Sequence, residues 1–310
     1  MNLSTVTPSG FSLLQIEGPD AIKFLQGQVT CDLNTQSPSR LQHGAHCTAK
    51  GRMIANFDAI KLNEQTLWLR LPSDNLAHLQ ASLAKYIVFS KAKLTDFSQT
   101  HQSLALVGHE AKTWLLNAGF DFDEQQVANL GDHLAIKIDE QRYEVWSNSD
   151  ASELAGLEAL PRADDNSCWP LGDIESGKGW ITSATSDAFL PQDLNLQTDA
   201  INGINFKKGC YTGQEIVARM HYKGKLKRHL YRFSTSSTQD IAAGAELVIG
   251  DSDKSVGTVI NVTTSNEGSE LLAVTTEATA EKEELRITGA TTDKLALVAL
   301  PYAITNESPA

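Results

Sequence analysis

The chain has 310 residues, of which 41% are hydrophobic and 21% charged, and its formal net charge is −12. This length predicts two or three domains, and the composition is that of a globular protein without a long disordered tract. The first ten residues hold no basic or apolar stretch and no run of about 18 apolar residues follows, so we expect a cytoplasmic protein that binds neither membranes nor DNA.

Two segments 90 residues apart share one pattern. Leu14–Leu25 matches Leu104–Leu115, and each reads as a short apolar strand, a glycine turn and a helix that begins with an acidic residue. The turns fall at Gly18 and Gly108. The match predicts two similar α+β units.

Further elements are predicted around these copies. Residues 53–71 hold strand-type apolar residues about a turn at Asn63 and Glu64, which is typical of a hairpin. After Ser73, apolar residues recur at helical spacing, at Leu76, Leu79, Leu83 and Ile87. Another helix is predicted from about residue 149 to residue 160.

The last third of the chain changes character. Short segments rich in Val, Ile and Thr alternate with Gly, Asn and Asp turns from about residue 228 onward, at 229–234, 245–249, 256–263, 270–276, 284–288 and 294–299. A spacing of about ten residues between strands is typical of a small antiparallel barrel or sandwich. We therefore expect a separate C-terminal β domain.

The four cysteines are isolated from one another. Cys31, Cys47, Cys168 and Cys210 form no C-x-x-C pair, which argues against a disulfide framework and a four-thiolate metal site. Cys210 lies in the stretch KKGCYTGQE, where Thr212 and Glu215 have the spacing of a capping box. A helix beginning there, together with the adjacent lysines, would favour the thiolate. The alternatives are a buried apolar cysteine, and a Cys/His nucleophile paired with His221, which nothing in the spacing supports.

The cysteine opens a strongly basic stretch. Between Lys207 and Arg232 lie eight Lys or Arg residues, at 207, 208, 219, 223, 225, 227, 228 and 232, against one acid, Glu215, so this stretch carries +7 and the rest of the chain −19. Three tyrosines interleave with the cations: Tyr211, Tyr222 and Tyr231. This mixture fits a planar anionic ligand, RNA, or a solvated face that pairs with the acidic surplus.

These residues resemble a known family. The stretch from Lys208 to Glu215, Lys-Gly-Cys-Tyr-x-Gly-Gln-Glu, is similar to the signature of the YgfZ family of tRNA-modifying, folate-binding proteins. The resemblance covers nearly the whole chain through further segments at 24–32, 49–53, 85–91, 189–196, 203–206, 217–219 and 227–228.

The resemblance implies a fold like that of the glycine cleavage T-protein, an aminomethyltransferase. That fold is α+β, with two ferredoxin-like domains and a C-terminal antiparallel β-barrel arranged as a ring around a tetrahydrofolate pocket. We assign residues 1–45 together with about 100–227 to the first domain, which carries the KGCYTGQE motif. Residues from about 46 to 99 form the second domain, and 228–310 the barrel.

The resemblance also implies site residues. Phe11 and Trp169 would line the folate pocket, unless they only pack in the core, and Glu175 would accept hydrogen bonds from the pterin. The carboxylates of tetrahydrofolate or a polyglutamated folate, or alternatively the acidic surface of a partner, would be held by Lys207, Lys208, Arg219, Lys223, Lys227 and Arg228. The motif residues, with Cys210 as the reactive thiolate, are Lys208, Gly209, Cys210, Tyr211, Gly213, Gln214 and Glu215.

Two segments depart from the related patterns. T-proteins carry a G-G-x-x-D-D segment with the catalytic aspartate, whereas this chain ends the equivalent segment in Ala55 and Asn56, which argues against aminomethyltransferase activity. Where family members often read G-I-P, this chain has Lys178 and Trp180. These two residues would reshape the mouth of the pocket.

The expected function is that of a folate-binding accessory protein. It would support iron–sulfur cluster assembly or repair, and thereby tRNA modification, through Cys210 in transient contact with a cluster. Its partners would be folate and iron–sulfur client or assembly proteins, with an indirect effect on tRNA. The alternatives are a folate-dependent one-carbon transferase and a tRNA-binding module that uses the basic stretch.

Overall fold

The computed structural model describes residues 2–304 apart from 7–9, 38–39, 124, 153, 155, 164, 225 and 290–293. In chain order the strands are β1 Ser4–Val6, β2 Phe11–Glu17, β3 Leu41–Cys47, β4 Met53–Asn63, β5 Thr66–Pro72, β6 Lys93–Asp96, β7 His101–Val107, β8 Val127–Leu130, β9 His133–Lys137, β10 Arg142–Asn148, β11 Arg228–Thr235, β12 Glu246–Ile249, β13 Gly257–Ser265, β14 Gly268–Thr276, β15 Leu285–Ile287 and β16 Ala296–Val298. The helices are α1 Ala21–Gln26, α2 Leu76–Ile87, α3 Ala111–Asn117, α4 Cys168–Glu175, α5 Gln214–Lys223 and α6 Glu277–Ala280.

The first sheet has the strand order β3-β4-β5-β2-β6, with antiparallel pairing throughout. Strands β4 and β5 form the hairpin predicted around Asn63, and α2 follows where the leucine spacing places it. Helices α1 and α2 cover one face of the sheet and bury Leu25 and Leu79 against Phe57 and Leu69. Burial of such side chains contributes about 1.5–3 kcal/mol each.

The second sheet has the order β1-β7-β10-β9-β8 and repeats the construction of the first. In both, a strand leads to a glycine with positive φ, 135° at Gly18 and 124° at Gly108, and then to a short helix. Each glycine N–H donates to a carbonyl in the hairpin turn of its own sheet, Gln65 O or Gln141 O, at 2.9 Å. The sequence repeat is therefore a structural repeat.

The sheets do not follow the domain boundaries that we predicted from the sequence. Strands β2 to β6, within residues 11–96, all belong to the first sheet, whereas β1 crosses to pair with β7 in the second. The predicted boundary at residue 45 falls inside β3, which pairs with β4. The helix predicted over 149–160 is wrong: the described residues there form turns and a short 3-10 helix, Leu157–Ala159.

The third sheet begins at Arg228 and has the order β15-β12-β13-β14-β11-β16. Its six strands lie within two residues of the predicted ones at both ends, and the sheet curls into a half-barrel. Phe233, Val259, Leu271 and Leu285 fill its interior.

The segment between the second and third sheets joins the sheets to one another. It carries α4 and α5, and its apolar residues Ile174, Ile181 and Val217 pack with Met53 of the first sheet and Ile260 of the third. This shared core fixes α4 against β13 and α5 against the edge of the first sheet. Two possible sites result, one beside each helix.

Candidate functional site

A cavity of about 500 Å³ lies where the start of β2, helix α4 and strand β13 meet. Its volume is within the range of small-molecule sites in proteins. Phe11 and Trp169, the two aromatics predicted for the folate pocket, both line it, and Trp180 lies beside them. The structure therefore brings three aromatic side chains to one cavity at the junction of two sheets.

The aromatic walls have a defined geometry. Phe11 is half-buried and meets the buried Trp180 edge to face, with ring centroids 5.0 Å apart and an interplanar angle of 78°. Trp169 is buried, and its indole Nε1 has no hydrogen-bond partner among the described residues. Because buried N–H groups are nearly always paired, this one is a donor in need of an acceptor from a ligand or water.

Asp173 holds both tryptophans in place. Its Oδ2 accepts from Trp180 Nε1 at 2.8 Å, and its Oδ1 pairs with Arg142 at 2.9 Å. Arg142 also donates to Trp169 O at 2.7 Å and to Asp139 at 2.5 Å. Burial would lower the pKa of Arg142, but the two carboxylates raise it, so the guanidinium stays charged. The cavity walls are thus preorganised by a buried ion pair.

Glu175 does not line this cavity. It is the last residue of α4, is exposed, and pairs with Arg232 at 3.5 Å. Positions two apart on a helix face different directions, so Asp173 points to the cavity and Glu175 away from it. The pterin contact predicted for Glu175 does not agree with this position.

A second buried cluster lies behind the aromatic wall. Asp58 pairs with Lys178 Nζ at 2.6 Å, accepts from His43 Nδ1 at 3.0 Å and faces Arg70 at 3.6 Å. Burial alone would raise the pKa of Asp58, but these neighbours together hold it well below its usual range. The Arg70 guanidinium also bonds to Glu144 of the second sheet and lies 3.7 Å from the ring centroid of Phe11. Arg70 therefore packs on Phe11 and, through its bond to Glu144, joins the first sheet to the second.

Asn56, at which the resemblance to T-proteins leads us to expect an aspartate, is buried. Its Nδ2 donates to Gly179 O at 2.7 Å and its Oδ1 accepts from Ile181 N at 2.7 Å. Burial and Lys178 lower the pKa of His43, so its neutral ring donates through Nδ1 and faces Asn56 with Nε2 at 3.3 Å. The amide is thus a structural tie between β4 and the 177–181 segment.

Lys208 was predicted to support the Cys210 thiolate and bind anions, and the structure places it elsewhere. It is buried, and its Nζ donates to the carbonyls of Gln26, Val29 and Cys31 at 2.6–2.8 Å. Burial lowers its pKa to about 8. Its three N–H groups are thereby occupied, so Lys208 anchors the cysteine loop to the segment after α1.

Cys210 lies at the surface of that loop and is the one cysteine classed as exposed. Helix α5 begins four residues later, at Gln214, as expected, but the predicted capping box is absent. Gly213 is the N-cap residue with φ of 86°, and the Thr212 hydroxyl donates to Gln28 instead. Gln214 caps the turn by accepting from Tyr211 N at 3.3 Å.

The other basic and aromatic motif residues have varied surroundings. Tyr211 and Tyr231 are buried, and burial raises the pKa of both phenols, so neither is a stacking platform for bases. Tyr222 remains 53% exposed. Arg219 and Lys223 lie exposed on α5, and Glu215 and Lys207 are also exposed. Arg228 pairs with Asp193 at 3.1 Å.

None of these basic residues lines the aromatic cavity. Cys210 and the predicted anion-binding residues therefore lie on a face that the cavity does not include. Lys225, which belongs to the same stretch, lies outside the described residues. The arrangement expected from sequence, with the thiol and its cations at the folate pocket, is replaced by two separate features.

Sequence reasoning missed Asp173 and Arg142. For Asp173 a signal existed, because it follows Trp169 by four residues in a helix and so lies on the same face. Arg142 has no such signal, since it reaches α4 from a strand in the second sheet. Only the folded structure brings these two residues together.

The described part of the chain contains no group of three or more His, Cys, Asp or Glu residues that could hold a metal ion. Within the same residues, no helix is long and apolar enough to cross a membrane.

Comparisons with known proteins agree with this architecture. Residues 5–150 match the family model described as the GCVT N-terminal domain. The chain is 32% identical to the tRNA-modifying protein YgfZ of Yersinia pseudotuberculosis serotype O:1b (strain IP 31758) over 98% of its own length and 94% of the relative. It is also 32% identical to YgfZ of Sodalis glossinidius (strain morsitans), covering 97% and 94% of the two chains.

A solved structure has the same fold. The glycine cleavage system aminomethyltransferase T from Bartonella henselae superposes with a TM-score of 0.75 at 17% identity, over 99% of this chain and 88% of that one. This confirms the T-protein-like fold predicted from the sequence.

Proposed function

Since the chain belongs to the YgfZ family of tRNA-modifying proteins, we propose that it binds a reduced folate in the aromatic cavity and supports tRNA modification through the thiol of Cys210. The observation that carries the folate assignment is the cavity itself, with Phe11, Trp169 and Trp180 around a volume of about 500 Å³. The thiol would act in the assembly or repair of iron–sulfur clusters in partner proteins. The two functions use different faces of the molecule.

The chemistry of the cavity suits a pterin. Flat heterocycles pack favourably on aromatic rings at offset or edge geometry. The indole N–H of Trp169 has no hydrogen-bond partner among the described residues, and an acceptor on such a ligand would complete it. No lysine or arginine is among the lining residues, so the carboxylates of the folate tail would lie toward solvent.

The state of Cys210 suits a transient contact with a partner's cluster. It is exposed, whereas Cys31 and Cys47 are buried with raised thiol pKa values, to about 12 for Cys31. The thiolate form is required for both metal binding and nucleophilic exchange. A single thiolate leaves the remaining cluster ligands to the partner, which favours delivery or repair over storage.

Anaerobic titration with tetrahydrofolate, followed by tryptophan fluorescence, tests the folate site. We expect saturable quenching in the wild type and at least tenfold weaker binding in Trp169→Ala. Trp68→Phe is the matched control, because Trp68 packs on Phe97 and His101 and does not line the cavity. No saturation at millimolar folate, or equal loss in both variants, would refute the site.

Replacement of Cys210 tests the thiol. Cys210→Ala is expected to keep wild-type stability and folate affinity but to fail to restore tRNA modification and iron–sulfur enzyme activity in cells that lack the protein. Cys168→Ala is the control, since Cys168 is partly buried and its thiol donates to Asp165 O at 3.5 Å. Full restoration by Cys210→Ala would contradict the proposal.

Direct tRNA binding is a second candidate, favoured by Arg219, Lys223 and the half-exposed Tyr222 along α5. Phosphate contacts predict an affinity that falls steeply with salt. Binding of purified tRNA to the wild type and to Arg219→Glu at two salt concentrations separates this candidate from an indirect effect. Equal, salt-insensitive binding by both proteins would exclude it.

A further inference from the structure

A turn after α2 exposes apolar side chains that the fold leaves uncovered. Tyr86, Val88 and Phe89, here called the apolar tip, are 43%, 69% and 94% exposed. They are three of the six large apolar side chains that are exposed in the described residues, and they lie within four positions. Single exposed apolar residues are ordinary, but such a cluster indicates a contact with another molecule.

The tip is held in a fixed position. Ser90 N donates to Ile87 O at 2.8 Å, closing the turn, while Ile87 packs into the core of the first sheet. Lys91 N donates to the Asp20 carboxylate at 2.8 Å, and Asp20 N to Lys91 O at 3.3 Å. Phe89 therefore projects from an anchored turn.

Helix α1 joins the tip to the cysteine loop. Its N-terminal end is bonded to the tip through Asp20 and Lys91. At its C-terminal end, Gln26 O accepts from Lys208 Nζ at 2.8 Å, and Gly27 O accepts from Thr212 N at 3.3 Å. Six helical residues span about 9 Å, so the tip and the loop lie at the two ends of one short helix.

A second, independent link runs through His46. Its Nδ1 donates to Gln28 O at 2.8 Å, which leaves Nε2 to accept from the Ser82 hydroxyl at 2.9 Å. Ser82 precedes Tyr86 by one helical turn on α2, and the Gln28 side chain accepts from Thr212 in the cysteine loop. The tip and the cysteine loop are therefore joined by two short hydrogen-bonded paths, one through α1 and one through His46.

The face that carries the tip is rich in exposed lysines although the chain as a whole is acidic. The exposed lysines around the tip are Lys85, Lys91 and Lys93, and those near the cysteine loop are Lys50 and Lys207. None of the five forms a salt bridge within the residues that the structure describes. Two carboxylates lie among these lysines: Asp20 accepts from Lys91 N at 2.8 Å, and the exposed Glu17 stands opposite Lys93 in the pairing of β2 with β6.

We propose that this face docks a folded acidic protein, which receives Phe89 and Val88 in an apolar cleft edged by aspartate and glutamate. This rests on the proposed function, because the docked protein is the one on which Cys210 acts. The apolar tip and the lysines beside it together match an apolar cleft bordered by carboxylates, which a folded acidic protein supplies. Apolar anchors within a charged rim are typical of protein interfaces.

Photo-crosslinking in cells identifies what covers the tip. With p-benzoylphenylalanine in place of Phe89, we expect adducts to an acidic protein. The same replacement of Leu116, which is 45% exposed on α3 in the second sheet, should give none. Adducts to tRNA, lipid or a second copy of this chain, or no excess over position 116, would overturn the proposal.

Binding of the purified adduct partner gives the quantitative test. Phe89→Ser is expected to weaken its affinity at least tenfold and Leu116→Ser less than twofold, with affinity falling as salt rises. Cys210→Ala should bind normally yet fail in cells. If Phe89→Ser keeps both affinity and cellular function while Cys210→Ala loses function, docking at the tip is wrong and the role of the thiol stands. If Cys210→Ala keeps function, the role of the thiol is wrong instead.

Discussion

Removing the Lys208 ammonium is expected to make the 26–31 segment, which lies against the cysteine loop, open more often. Lys208→Met keeps most of the apolar stem but deletes the donor to three carbonyls, those of Gln26, Val29 and Cys31. Hydrogen bonds from a charged donor contribute about 1.5–3 kcal/mol each. Burying the ammonium costs several kcal/mol in return. We therefore expect Lys208→Met to lower the free energy needed to open the 26–31 segment by about 3 kcal/mol.

The buried thiol of Cys31 reports this opening. Its carbonyl is one of the three acceptors, it is 1% exposed, and burial raises its pKa to about 12, so labelling requires the segment to open. At 1.4 kcal/mol for each factor of ten, a loss of about 3 kcal/mol makes alkylation of Cys31 about 100-fold faster. The rate is measured by timed alkylation and mass spectrometry of the Cys31 peptide.

The neighbouring lysine provides a matched control. Lys207 is exposed, and its ammonium makes no hydrogen bond to the residues that the structure describes. Lys207→Met should therefore leave the labelling rate of Cys31 within twofold of the wild type. Cys210 should react rapidly in all three proteins. A rate for Cys31 in Lys208→Met that matches the Lys207→Met control would refute the anchoring role.

Three further predictions concern the cavity and the cluster behind it. Asn56→Asp should lower the free energy of unfolding by about 1–3 kcal/mol, because the aspartate would place an acceptor oxygen, in place of the amide donor, against the carbonyl oxygen of Gly179. Unchanged thermal stability would contradict this. The pKa of Asp58 is lower in the folded protein than its unfolded value of about 3.9. The ionised Asp58 therefore stabilises the fold fully above about pH 4, and this contribution is lost as the pH falls further. Asp58→Asn should therefore flatten the decline in Tm from about pH 5 to about pH 3, and an unchanged slope would count against the ion pair. Glu175→Gln should leave the folate Kd within twofold, whereas a tenfold rise would restore its predicted contact with the pterin.

The sequence was sufficient for most of the elements that local spacing determines. The strand, glycine and helix pattern at Leu14 and Leu104 identified the repeat because a positive φ and a buried strand leave a direct trace in residue types. The β-rich C-terminal third followed from its turn residues. The capping box failed because Gly213, one residue after Thr212, takes the N-cap position with φ of 86°.

The site was predicted only in part because its contacts are non-local. Phe11 and Trp169 were assigned to one pocket, and the structure brings them to one cavity. A run of cations in a sequence indicates exposure, but Lys208 is enclosed by carbonyls about 180 residues earlier in the chain. No periodicity could have shown this, nor that Cys210 does not line the aromatic cavity.

The most direct test of the two-site arrangement is a solved structure of the protein with tetrahydrofolate bound. We predict the pterin ring between Phe11 and Trp169, with an acceptor within hydrogen-bond distance of Trp169 Nε1 and Cys210 untouched by the ligand. Folate bound against α5 and Cys210, with the aromatic cavity empty, would contradict the assignment.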